Sequence, residues 1–95
     1  MSEPIRMFSF AVAGDLWAKY ATLKSRKLTS IADAKPGDLV MHFWVSGTHK
    51  YDVIGAYSRE VLQEVFKWHA WAAASMTFEK WLRTHFKPIE DGARL

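Results

Sequence analysis

Four tryptophans, Trp17, Trp44, Trp68 and Trp71, are the side chains of this sequence best suited to chemistry of their own. An indole presents a broad π-face, and stacking a nucleobase on such a face contributes roughly 1–3 kcal/mol per base without any demand on base identity. The 95 residues hold five Trp, three Tyr and six Phe, more aromatic surface than a core of this size needs. Packing competes for the same rings. Trp81 lies on an amphipathic helical pattern and is read as core, whereas Trp17 and Trp44 fit either use. Trp68 and Trp71 bracket His69; three positions apart, they share a helix face but not a strand face.

Catalytic arrangements are missing from the pattern. The histidines His42, His49, His69 and His85 are scattered, without the HxH or HExxH spacing that would bring two imidazoles to one metal. An isolated histidine is read as a hydrogen-bonding residue of surface or core. Gly14, Gly37, Gly47, Gly55 and Gly92 are isolated, so no glycine-rich phosphate loop is visible. Asp15, Asp33, Asp38 and Asp52 fall at turns and caps, where turn chemistry accounts for them. Ser46 sits near His49 in a polar loop with no strained elbow to make it a nucleophile. With no cysteine there is no disulfide, thiolate metal site or thiol nucleophile. The sequence therefore predicts no enzyme activity, no metal and no cofactor.

Thirteen Lys and Arg against ten Asp and Glu leave a net charge of +3. Lys19, Lys24, Arg26 and Lys27 cluster after Asp15 with no acid among them, as candidates to contact phosphates or as a solvated face. A hydrophobic fraction of 49% excludes intrinsic disorder. Leu39–Val45 is too short to span a bilayer, and Met1-Ser2-Glu3-Pro4 lacks the basic n-region of a signal peptide. One domain, cytoplasmic and without a membrane partner, is expected.

These residues need elements to hold them. Ile5–Val12 reads as a strand with Phe8, Phe10 and Val12 on one face, ended by Gly14-Asp15. Asp15 can cap a helix running to about Ser25, with Leu16, Tyr20 and Leu23 at helical spacing. Ser25-Arg26-Lys27 reads as a linker, and Thr29 or Ser30 caps a helical turn that Pro36 stops. Pro36-Gly37-Asp38 is tight-turn chemistry and launches a strand. In it Leu39, Met41, Phe43 and Val45 alternate as core against Val40, His42 and Trp44, the set suited to a ligand. After the loop 46–50, Tyr51–Ser58 is the return strand, with Gly55 marking a bulge or close backbone approach. For 58–74 strand and helix remain open: Ser58 can cap, and Val61, Leu62, Val65, Trp68, His69 and Ala72 fit a helical stripe. Thr77–Phe86 is the clearest helix, with Thr77 as cap, Phe78, Trp81, Leu82 and Phe86 as its apolar face, and Pro88 ending it. Glu90–Leu95 is expected to fray.

From Trp17 to Tyr57 the chain resembles the PUA-like group of small β-barrels, its EVE and YTH members above all. The resemblance rests on Trp17 following a strand and a Lys35-Pro36-Gly37-Asp38 turn. It also uses Phe43-Trp44-Val45-Ser46 in the place of a phenylalanine-bearing central strand, and an Ile54-Gly55-Ala56 strand beside it. It implies an α+β fold with a partial barrel and flanking helices, and favours strand at the start of 58–74. It further implies binding of a modified or flipped base of DNA or RNA, methylated or not. Trp17 matches the first cage tryptophan, and Trp68 or Trp71 is the nearest candidate for a second cage aromatic. With Trp44 added to the cage, His42 and Ser46 would bond the base edge, and Lys19, Lys24, Arg26 and Lys27 would hold the backbone. Such a module would target a fused or associated effector protein of a restriction, RNA-modification or defence system. The rival expectation is a small protein-interaction module or inhibitor whose exposed Trp and Phe residues act as hot spots.

Overall fold

A computed structural model of the chain describes residues 3–48 and 50–89; the tail expected at Glu90–Leu95 lies outside them. The first strand, β1 (Ile5–Val12), leads through Ala13 into helix α1 (Gly14–Ala21). Asp15 stands in the first turn of α1, where a carboxylate suits the helix dipole, but Ala13 is the capping position and offers no side-chain acceptor. The helix stops at Ala21, short of the expected Ser25, because the next residues are needed in extended form. Arg26–Lys27, read as linker, is a short edge strand, β2, paired with residues 55 and 56. Ser30 then caps a 3₁₀ turn (Ile31–Asp33), its hydroxyl accepting from the Ala32 N–H while the Asp33 carboxylate accepts from the Ser30 N–H.

Pro36 and Gly37 occupy the middle of a tight turn. Gly37 has φ +87°, a conformation that glycine adopts without steric cost, and Asp38 N–H closes the turn on the Lys35 carbonyl. The central strands β3 (Leu39–Val45) and β4 (Val53–Ala56) follow as an antiparallel hairpin. The return strand is shorter than Tyr51–Ser58 because Tyr51 holds a left-handed φ of +59°. Beyond β4 the open choice over 58–74 resolves to helix, not the strand that the resemblance favours. Ser58 Oγ accepts from Val61 N–H to start α2 (Arg59–Trp68), and α3 (Ala70–Ser75) continues after a break at His69. Thr77 caps α4 (Phe78–His85) as expected. Pro88 does more than end it: β5 (Lys87–Ile89) pairs antiparallel with β1 at the sheet edge, where a residue lacking an N–H is tolerated.

The fold is α+β, a five-stranded mixed sheet in the order β2-β4-β3-β1-β5. The central strand β3 pairs parallel with β1, placing Phe8 beside Met41, Phe10 beside Phe43 and Val12 beside Val45. This face is covered by the helices. Met41, Phe43, Tyr20, Leu62, Val65, Trp81, Leu82 and Phe86 form the main core there, so the alternation expected for β3 holds. On the reverse face a second, smaller core forms from Leu28, Val40 and Ala56, with Ile5, Met7, Ile31 and Ile54 packed on it. The Leu28–Ala34 segment covers this part of that face, and beyond it Ser9 and Ala11 are exposed while His42 and Trp44 are half-buried.

Candidate nucleic-acid interface

Alternation along the two central strands decides what the open part of the reverse face carries. Ser9 lies beside His42 and Ala11 beside Trp44 in the β1–β3 register, and Ile54 of β4 lies on the far side of His42. Ser9 and Ala11 are exposed and small, so β1 raises no bulky side chain beside the two rings. Those rings, His42 and Trp44, are in contact with centroids 5.1 Å apart at 50°. His42 Nε2 is 3.6 Å from Asp52 Oδ2. Beside them a groove of about 410 Å³ is lined by Lys27, Thr29, Ser30, His42, Asp52 and Ile54, among others.

The structure thus brings together three of the residues expected from sequence, His42, Trp44 and Lys27, and separates the others. Trp17 projects from α1 on the helical side of the sheet, packed against the main core, with its Nε1–H donating to the Tyr51 carbonyl at 3.0 Å. Trp44 is on the opposite side, so the expected cage pairing Trp17 with Trp44 is not formed; the sheet itself stands between them. Trp68, at the end of α2, is met edge-on by Tyr20 at 5.1 Å and 86°, and Lys19 Nζ stands over its ring. Trp71 is 77% exposed on α3. Ser46 sits in the turn after β3, where its N–H donates to the Val12 carbonyl.

The basic run is divided in the same way. Lys19 is engaged with Trp68. Arg26 makes a two-point ion pair with Asp38, at 2.5 Å and 3.3 Å. Lys24 lines a groove of about 560 Å³ between β2 and the start of α2, and Lys27 lines the groove beside His42.

Two residues of this region escaped the sequence. Tyr51 was read as strand, yet it is 69% exposed and meets Trp17 with ring centroids 5.6 Å apart; at that separation the two rings touch and leave no slot for a base between them. Asp52 was read as turn chemistry. Its neighbours Lys50 and Tyr51 carry no signal that the carboxylate would reach a histidine on the adjacent strand. Among the described residues no helix is long and apolar enough to cross a membrane. Compared with family models, with curated proteins and with solved structures, the chain matches none.

Proposed function

We propose that the chain is a nucleic-acid-binding module of PUA-like, EVE/YTH type that takes an unpaired or extruded base of DNA or RNA on the open face of its sheet. The single observation that carries this is the His42–Trp44 ring pair, set among the small residues Ser9 and Ala11 and next to a groove with a lysine in it. An aromatic sheet face flanked by cations is the physical arrangement that single-stranded nucleic acid requires: flat rings for the bases and positive charge for the backbone. The base rests against the His42–Trp44 pair in this proposal, and Lys27 with Lys24 along the β2 edge contacts phosphates. The module would direct an effector protein of a restriction, RNA-modification or defence system to its target, with a methylated base as one ligand of the platform.

Fluorescence titration with short single-stranded oligonucleotides, methylated and unmodified, tests this. Trp44→Ala should remove most binding, and Lys27→Ala should lower affinity for all sequences alike and flatten its dependence on salt. Full affinity in the Trp44 variant overturns the platform.

One observation favours a second function. Among the described residues Trp71 is the most exposed large apolar side chain, and an exposed indole on a helix is the residue type that anchors protein interfaces. Binding lost in Trp71→Ala and kept in Trp44→Ala would move the interface to α3 and the partner to a protein.

A further inference from the structure

We infer that Asp52 makes the sheet-face site selective for guanine; this rests on the platform proposed above. Asp52 lines the groove next to His42 and is 53% exposed at its side chain. Its only close polar contact among the described residues is His42 Nε2 at 3.6 Å, longer than a hydrogen bond. Asp15 at the start of α1 likewise makes no side-chain cap bond but lines no groove with a ring pair, and the remaining two described aspartates are engaged. Asp33 accepts from the Thr29 and Ser30 N–H groups, and Asp38 is held by Arg26 and the Lys35 N–H. Turn and cap geometry uses those two carboxylates, while that of Asp52 keeps its accepting capacity for something else.

A carboxylate offers two parallel acceptors, and only guanine among the common bases presents two adjacent donors, N1–H and the N2 amine. Adenine, cytosine and thymine each place an acceptor lone pair within that same edge, which a carboxylate repels. The far side of guanine, O6 and N7, needs donors. Lys27 and Thr29 line the same groove as Asp52, and a lysine toward O6 or N7 is a common specific contact to this base. A base stacked at His42 therefore has an acceptor pair and a cation within one groove, in the pattern complementary to guanine. The volume of about 410 Å³ falls in the range of small-ligand clefts, roughly 300–1,000 Å³.

The test uses the full chain and nine-residue thymidine oligonucleotides with one central dG, dA or dC, a design that avoids guanine self-association. The central dG strand should bind about tenfold more tightly than the others, as a bidentate contact gives. Asp52→Asn should erase that preference, bringing the ratio of central-dG to all-thymidine affinity to about one, while the lost negative charge beside Lys27 raises affinity for every strand alike. Equal binding of all four strands overturns guanine selectivity while leaving the platform standing. A preference that survives in Asp52→Asn overturns the role of Asp52. Silence with every strand overturns the platform and the inference with it.

Discussion

The ammonium nitrogen of Lys19 stands 4.3 Å from the centre of the Trp68 ring. A residue expected to grip phosphate and one expected to stack a base thus occupy each other. A cation over an indole face is attracted by the ring quadrupole, and the pair ties α1 to the end of α2. Lys19→Ala should lower stability by about 0.5–1 kcal/mol, the value of such a contact at an exposed site, as read from urea denaturation. Its oligonucleotide affinity and salt slope should match those of the parent, because the pair is on the helical side of the sheet.

Arg26 is engaged in the same sense by its partner Asp38. Burial raises the Asp38 carboxyl, but the hydrogen bonds from Arg26 and the Lys35 N–H, with the nearby positive charges, outweigh it and hold the group below the usual carboxylate value. A depressed carboxyl contributes stability above its unfolded value, about 3.9, that is lost as pH falls through the folded one. Arg26→Ala should lower the melting temperature at pH 7 and remove part of the loss seen on acidification below pH 4. The salt slope of oligonucleotide binding should stay unchanged, whereas Lys27→Ala should reduce it.

Gly55 is closed to any side chain. A Cβ there would stand 2.9 Å from Ser25 Oγ and 3.2 Å from Ser25 Cβ, closer than the packing tolerates. Gly55→Ala should cost about 1–3 kcal/mol, the usual range for overpacking. Adding Ser25→Gly should recover most of it, and a double-mutant cycle from chemical denaturation measures the coupling.

His69 and His85 both titrate below the ordinary histidine value. For His69 burial is the main cause and the charge of His85 the second; for His85 burial leads and Lys87 follows. His69 Nε2 also shares a hydrogen bond of 3.3 Å with the Tyr20 hydroxyl, where α2 breaks into α3. A base with a depressed folded value is protonated more readily when unfolded. Stability is therefore complete above about pH 6.5 and declines as pH falls through that value toward the folded one. The melting temperature should drop between pH 7 and pH 5, and His69→Gln with His85→Gln should flatten that drop.

Much of the fold could be read from local chemistry, and the losses have physical causes. Ser30, Ser58 and Thr77 announce their caps because a hydroxyl before an apolar stripe satisfies a free N–H. Leu39, Met41 and Phe43 announce a buried face because a strand alternates. Nothing local tells β3 that its second neighbour is β1 and that the pairing is parallel; that partner lies upstream, beyond α1, β2 and the 3₁₀ turn. Without it the side of the sheet on which α1 packs is unknown, so the pattern puts Trp17 and Trp44 in one cage although the sheet divides them. Alternation likewise groups Val40 with the ligand-facing residues, yet Leu28 and Ala56 bury it in the second core. His42 and Trp44 were placed correctly on the non-core face, whereas Asp52 and Tyr51 were hidden by a loop whose path only the folded hairpin fixes.

The pairing of β1 also governs when this sheet can form. Arg6 aligns with Leu39 on one side and with Pro88 on the other, and its guanidinium donates to the Phe86 carbonyl, 80 positions away. This inner strand, between β3 and the edge strand β5, is the earliest made, and both of its neighbours are made later. During synthesis β1 must wait with both edges open until β3 emerges, and the far side stays open until the residues after α4 have left the ribosome. Closing so long a loop is entropically costly before any contact rewards it. The folding rate of this small domain should accordingly be set by long-range strand docking, with its helices forming sooner than the sheet they cover.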